Sequence, residues 1–122
     1  MPEKEFENLI KKAKPEMQDM LQSVFYFNYR FCKNLNDEKK LKKIIGAMIK
    51  IDRKIFIADH SYSDSAASIG LGQTISQPST VARMLFIAEL KKGIDILEVG
   101  TGSGWSACLI SYIVVSGKVL TT

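Results

Sequence analysis

The segment Glu98-Val99-Gly100-Thr101-Gly102-Ser103-Gly104 carries three glycines at alternate positions and an acid two positions before the first. Glycine permits a tight turn and lets a ligand approach the backbone closely. The apolar run from Ile94 to Val99 reads as a strand leading into the turn, and Trp105 opens a helix after it. In an open α/β sheet a ligand sits beyond the carboxyl end of a strand, at the start of the next helix. Backbone N–H groups there have no intrahelical acceptor. The G-x-G-x-G spacing departs from the G-x-G-x-x-G of dinucleotide-binding proteins. The Glu98 carboxylate would disfavour a pyrophosphate there. Two simpler readings stand beside this one: the glycines form a bare turn, and the Glu98 carboxylate caps a nearby backbone N–H.

A second segment concentrates hydroxyls and amides: Tyr62-Ser63-Asp64, then Ile69-Gly70-Leu71-Gly72-Gln73-Thr74-Ile75-Ser76-Gln77-Pro78. Hydroxyls can orient an anionic oxygen without quenching it as a tight ion pair would. Ser76 lies just before Pro78, where a helix N-cap belongs. It is therefore either a cap or a site hydroxyl. Tyr62 can pack over the loop and Asp64 can bond local N–H groups, or both can take part in chemistry. His60 is the one histidine. It has no acidic or cysteine partner at ligand spacing, so it receives no role and no metal site is expected. Cys32 and Cys108 lack metal-type spacing and read as reduced, buried thiols of a cytoplasmic protein.

The elements that must position these residues fall into three zones. Residues 1–50 read as helices. Pro15 opens one, with Met17, Met20, Leu21, Val24 and Phe25 in a single apolar stripe. Asn36 is the expected cap of the next, whose buried face is Leu41, Ile44, Ile45, Met48 and Ile49. Residues 51–77 show little periodicity and read as a packed loop anchored by Ile55, Phe56, Ile57, Tyr62, Ile69 and Ile75. Residues 78–122 read helix, strand, helix, strand. Pro78 starts the first helix, Val81, Met84, Leu85 and Ala88 line its inner face, and Gly93 ends it. Ile94–Val99, the helix from Trp105 to about Ser116, and the strand from Lys118 make a βαβ unit of an open α/β sheet. The chain's 122 residues suffice for one domain with its own core.

The net charge is +4, and the excess lies in the first half: residues 1–60 hold 13 Lys/Arg against 9 Asp/Glu, and residues 61–122 hold 4 of each. The charges are interleaved and lack an accompanying aromatic–arginine pattern, so they read as solvated helix faces rather than a nucleic-acid surface. No apolar stretch approaches the roughly 20 residues of a spanning helix, so no membrane partner is expected. The acids near the N-terminus do not suit a secretory signal.

The glycine turn with its acid resembles the first motif of Rossmann-like S-adenosylmethionine methyltransferases. The stretch Asp52-Arg53-Lys54-Ile55-Phe56, the Tyr62-x-Asp64 pair and the Ile69-to-Pro78 segment, in that order, resemble protein-L-isoaspartate O-methyltransferases. The resemblance runs from about Asn34 to the end. It implies an α/β fold: N-terminal helices followed by the first βαβ unit of a Rossmann-like methyltransferase sheet. It implies S-adenosyl-L-methionine as cofactor, held by Glu98, Gly100, Thr101, Gly102, Ser103 and Gly104 and bordered by Thr74, Ile75 and Ser76. Ser76 becomes the active-site hydroxyl and Thr74 its flank. The implied partners are proteins or peptides containing isoaspartyl residues, whose carboxylates are methylated in a repair reaction. Another methyltransferase of the same fold, acting on RNA or small molecules, and a truncated non-catalytic relative are the alternatives. Trp105 stands where many relatives carry Tyr or a smaller apolar residue, and Ser65-Ala66-Ala67-Ser68 replaces a more proline-rich stretch. The family's ribose-binding acid, at the end of the second strand, has no counterpart up to Thr122. The 122 residues alone are therefore expected to hold cofactor poorly, to be inactive, and to associate through an exposed sheet edge.

Overall fold

The computed structural model describes residues 2–70 and 72–122. Three helices come first: α1 (Pro2–Ile10), α2 (Pro15–Tyr29) and α3 (Leu35–Lys50). Pro15 occupies the first turn of α2, as expected, and Met17, Met20, Leu21, Val24 and Phe25 are all buried. Phe25 packs tilted and Tyr29 edge-on against Phe6 of α1, at centroid distances of 4.7 and 5.7 Å from the Phe6 ring. Helix α3 is capped by Asn34 rather than Asn36. The Asn34 side chain accepts the Asp37 N–H at 2.9 Å, and the Asp37 carboxylate accepts the Lys33 N–H at 2.9 Å. That exchange is close to a capping box and satisfies two N–H groups at once, which Asn36 cannot do from inside the helix. Leu41, Ile44, Ile45 and Met48 are buried as expected, with Ala47 beside them.

The stretch expected as a loop contains regular structure. A 3-10 turn spans Arg53–Ile55, and a short antiparallel hairpin joins β1 (Ala67–Gly70) to β2 (Gln73–Ile75). Ala67 pairs with Ile75 and Ser68 with Thr74, and the register then shifts before Gly70 meets Gln73. Strands of three or four residues are too short to show an alternating pattern. Ile57 and Ile75 are buried anchors, whereas Ile55 is 78% exposed.

Helix α4 (Pro78–Ile87) buries Val81, Ala82, Leu85 and Phe86. Met84 is 64% exposed and Ala88 is also on the outside, contrary to the expected inner face. Asn28, buried in α2, donates to the Ser79 carbonyl at 3.2 Å and fixes how α4 is turned. The helix ends before Glu89, which takes a left-handed φ of 55° and pairs with Lys40 at 2.7 Å, so Gly93 does not terminate it. Gly93 instead donates its N–H to the Val114 carbonyl at 2.8 Å.

Strands β3 (Ile96–Glu98) and β4 (Val119–Thr121) are parallel, joined through α5 (Trp105–Val114), which is the βαβ unit read from the sequence. Ile96 faces Val119, Leu97 faces Leu120 and Glu98 faces Thr121. At Gly117, between α5 and β4, a Cβ would lie 1.8 Å from the Ile94 carbonyl oxygen, so only glycine fits. Trp105, Leu109, Ile110, Ile113 and Val114 carry α5 into one core with the N-terminal helices. Leu97, Val99 and Leu120 remain 63–82% exposed. Cys32 is half-buried and Cys108 exposed, so the expected burial of Cys108 is not seen; neither forms a disulfide. Among the described residues no helix is long and apolar enough to cross a membrane.

Candidate functional site

The glycine turn leaves β3 and reaches α5 through Gly100, Gly102 and Gly104, with φ of 91°, 54° and 91°. Side chains rarely adopt these conformations, so the backbone itself favours glycine at all three positions. The end of β4 braces the turn. The Thr122 carbonyl accepts the Gly100 and Thr101 N–H groups at 2.8 and 2.9 Å, and the Thr122 N–H donates to the Glu98 carbonyl at 3.0 Å. Ser103 accepts the Trp105 N–H through its hydroxyl at 3.2 Å. Among the described residues, the N–H groups of Gly102 and Ser103 have no acceptor.

The Glu98 carboxylate accepts two hydroxyls, from Ser106 at 2.5 Å and Thr121 at 2.8 Å, and no backbone N–H among the described residues. The Thr121 hydroxyl also lies 2.6 Å from that of Thr101. Sheet, turn and helix are thereby tied to one carboxylate. A carboxylate offers about four acceptor positions, so Glu98 retains capacity for a cation.

The other side of the site is β2 together with the residues that connect it to α4. Thr74 and Ser76 are exposed and Ile75 is buried. The cap of α4 does not come from Ser76. Gln77 is the N-cap position and makes no side-chain cap bond. Asp64 caps the helix instead, accepting the Ser79 N–H at 2.8 Å and the Ser79 hydroxyl at 2.6 Å, with Gln77 donating to its carbonyl at 3.0 Å. Tyr62 donates to Asp52 at 2.7 Å, and Asp52 also pairs with Lys14 at 2.6 Å. Burial, with the Asp52 negative charge nearby, outweighs Lys14 and holds the Tyr62 phenol above its usual pKa. Tyr62 and Asp64 thus hold the loop in place and do not line the cavity.

The two sides meet. A cavity of about 110 Å³ has Thr74, Ile75 and Ser76 on one wall and Gly100 to Ser103 on the other, with Val81, Trp105 and Ser106 beneath. Glu98 and Gly104 are not among the residues that line it. A larger, more open hollow of about 630 Å³ lies at the far end of α5, against Lys43, Gly46 and Tyr112, away from every residue singled out by the sequence. Sequence reasoning gave no role to Ser106 or Thr121. Only the parallel register, which sets Thr121 opposite Glu98, reveals the second.

Residues 28–121 match the family model for protein-L-isoaspartate(D-aspartate) O-methyltransferase. A protein-L-isoaspartate O-methyltransferase of Pyrococcus abyssi is 51% identical over 72 residues, which is 56% of this chain and 33% of that protein. One from Thermococcus sibiricus is 42% identical over 98 residues, 75% of this chain and 44% of that protein. The chain thus spans a third to somewhat under half of these relatives. In fold it resembles a Plasmodium falciparum protein described as a protein-L-isoaspartate O-methyltransferase, solved in complex with S-adenosyl-L-homocysteine. The TM-score is 0.69 at 22% identity, covering 88% of this chain and 49% of that one. A βαβ unit with a glycine turn braced as described, and a family match over residues 28–121, place this chain in the protein-L-isoaspartate(D-aspartate) O-methyltransferase family.

Proposed function

We propose that this chain supplies the S-adenosylmethionine side, and one wall of the substrate side, of an enzyme that methylates the side-chain carboxylate of L-isoaspartyl residues in damaged proteins or peptides. The observation that carries the reading is the meeting of Thr74-Ile75-Ser76 with the glycine turn across one cavity. The fit to the cofactor's amino-acid end rests on the turn. At Gly100 and Gly102 a Cβ would meet nothing within 4 Å, so the backbone is open to a ligand. The free N–H groups of Gly102 and Ser103 suit its carboxylate, and the spare capacity of Glu98 suits its ammonium. Gly100 to Gly104 would hold it, with Thr74, Ile75 and Ser76 at its border.

S-adenosylmethionine, when bound, supplies a methyl group already activated as a sulfonium. The isoaspartyl carboxylate is ionised at neutral pH, so no residue needs to act as a base. What remains for the chain is orientation, which can contribute several kcal/mol. The Ser76 hydroxyl donates to the substrate carboxylate and keeps one oxygen in line, with Thr74 beside it. Residues 1–50 serve as helical support, 51–77 as the substrate side and 78–122 as the start of the cofactor domain. Two unpaired thiols, Cys32 and Cys108, support a reducing, cytoplasmic setting.

The test is methyl transfer from labelled cofactor, by the longest encoded form of the protein, to an isoaspartyl peptide and to its normal aspartyl twin. The expected result is labelling of the first only. Equal labelling of both, or labelling of RNA instead, overturns the reading.

A further inference from the structure

Arg53 is fully buried, yet it pairs with no carboxylate among the described residues. Its guanidinium is spent on main-chain carbonyls. Nη1 donates to His60, Ser61 and Ser63 at 3.3, 3.1 and 3.0 Å, and Nη2 donates to Ser65 and Ser76 at 3.0 and 3.2 Å. The group also lies 5.4 Å from the Trp105 ring, which is 1% exposed and donates its own N–H to the Ile51 carbonyl at 3.1 Å. Three segments converge here: the loop 60–65, Ser76 just after β2, and the first residue after the glycine turn.

Burying a charge is costly unless it is well bonded. An arginine retained only as packing would be replaceable by an apolar side chain of similar size. The bonds here tie the loop 60–65 to Ser76 on one wall of the cavity, while the same guanidinium lies against Trp105, the residue that follows the glycine turn. His60 supports this: it holds a left-handed φ of 56° where the loop bends round the guanidinium. Burial pulls the Arg53 pKa down, with the Asp64 charge opposing it.

We propose that Arg53 is a positioning residue of the site: through the Ser76 carbonyl and the Trp105 ring it fixes the Thr74–Ser76 segment against the glycine turn, and so sets where the Ser76 hydroxyl stands. Its link to catalysis rests on the function proposed above. Lysine cannot replace it. One ammonium carries three donors at a single point, whereas the guanidinium fork reaches His60, Ser61 and Ser63 from one nitrogen and Ser65 and Ser76 from the other.

The test compares wild type with Arg53→Lys in the longest encoded form, by three measurements: affinity for S-adenosylhomocysteine, turnover of an isoaspartyl peptide per cofactor-binding molecule, and amide hydrogen exchange along the chain. The expected result is affinity within about threefold of wild type and turnover lower by roughly tenfold to a hundredfold, as for a misplaced orienting group. Exchange should rise at residues 60–65 and 73–77 while α2 and α3 stay protected. Unchanged turnover per binding molecule overturns the proposal, as does a rise spread evenly through the helices, which marks a residue that only holds the fold. If wild type methylates no isoaspartyl peptide, the proposed function fails. The exchange pattern then decides whether Arg53 joins the two walls. Should Arg53→Lys not fold, Trp105→Phe replaces it. That variant should loosen residues 100–104 and leave 60–65 protected, and an unaltered turn overturns the proposal.

Discussion

Ser76 borders the cavity while Asp64, fifteen residues before Ser79, caps helix α4. This division makes the two positions separable by experiment. Ser76→Ala should lower methyl transfer about tenfold or more, by loss of orientation. Its unfolding free energy should stay within about 0.5 kcal/mol of wild type, as for a surface change. Asp64→Ala should cost about 1–2 kcal/mol, the usual loss for a removed cap. Urea unfolding of both variants, beside the peptide assay, checks the pair; a large loss of stability from Ser76→Ala would return that residue to a capping role. The residues around Ser76 by themselves favour it as the cap, because a cap supplied from a distant loop leaves no local pattern. Gly102 offers a second test. Asparagine tolerates its left-handed backbone, so Gly102→Asn should fold while filling the open space. The affinity for S-adenosylhomocysteine should then fall about tenfold or more, a change of at least 1.4 kcal/mol, as read by titration calorimetry. Unchanged affinity would mean that the ligand does not occupy that space.

Among the elements, helices α2 and α3 were the most legible, because each repeats its apolar residues over several turns. Helix α4 was legible as a helix but not in its rotation. Two apolar faces compete there, and Asn28 and Phe86 select the one that buries Phe86 over Met84. The hairpin of β1 and β2 was invisible, since its pairing is too short to leave a period. Nor does sequence show that the turn before α2 is tied to the 51–77 segment through Lys14, Asp52 and Tyr62. Burial alone would raise the Asp52 pKa, but the bonds from Lys14, the Lys54 N–H and Tyr62 outweigh it and hold the carboxyl below its ordinary 3.8. The bond to Asp52, and next that to Tyr62, holds the Lys14 ammonium above its ordinary 10.5. A lowered carboxyl contributes stability above about pH 4, and loses it as pH falls through the folded value. A raised ammonium contributes fully below about pH 10, and loses that as pH rises through its folded value. Lys14→Met should therefore melt earlier than wild type near neutrality, and the gap should close as pH falls through the lowered Asp52 value, where the carboxyl takes up its proton. Thermal unfolding followed by circular dichroism at several pH values checks this, and a gap independent of pH would mean that the ion pair is not its source.

Taken as a whole, the molecule is a helical half with a closed core joined to a sheet with an open face. Parallel sheets are normally covered on both faces, yet Leu97, Val99 and Leu120 are exposed on this one. The 122-residue chain should associate in solution, and Leu120→Lys should shift it toward monomer without altering its helical signal. Light scattering across a concentration series reads this directly, and a wild-type monomer at every concentration would count against it. The βαβ unit itself was legible, because the Ile94–Val99 run, the glycines and the Lys118 strand occur in the order that such a unit needs. The bracing of the turn by Thr121 and Thr122 was not, since it depends on register. That register has a hidden guardian. Gly117 passes so close to the Ile94 carbonyl that the return from α5 has no slack, and one added methyl would push β4 out of step with β3. Thr121 would move away from Glu98, and the Thr122 carbonyl from the turn. A position with no contact to the cavity therefore acts as its gauge block: the spacing of the site is measured off from a glycine at the opposite end of the strands.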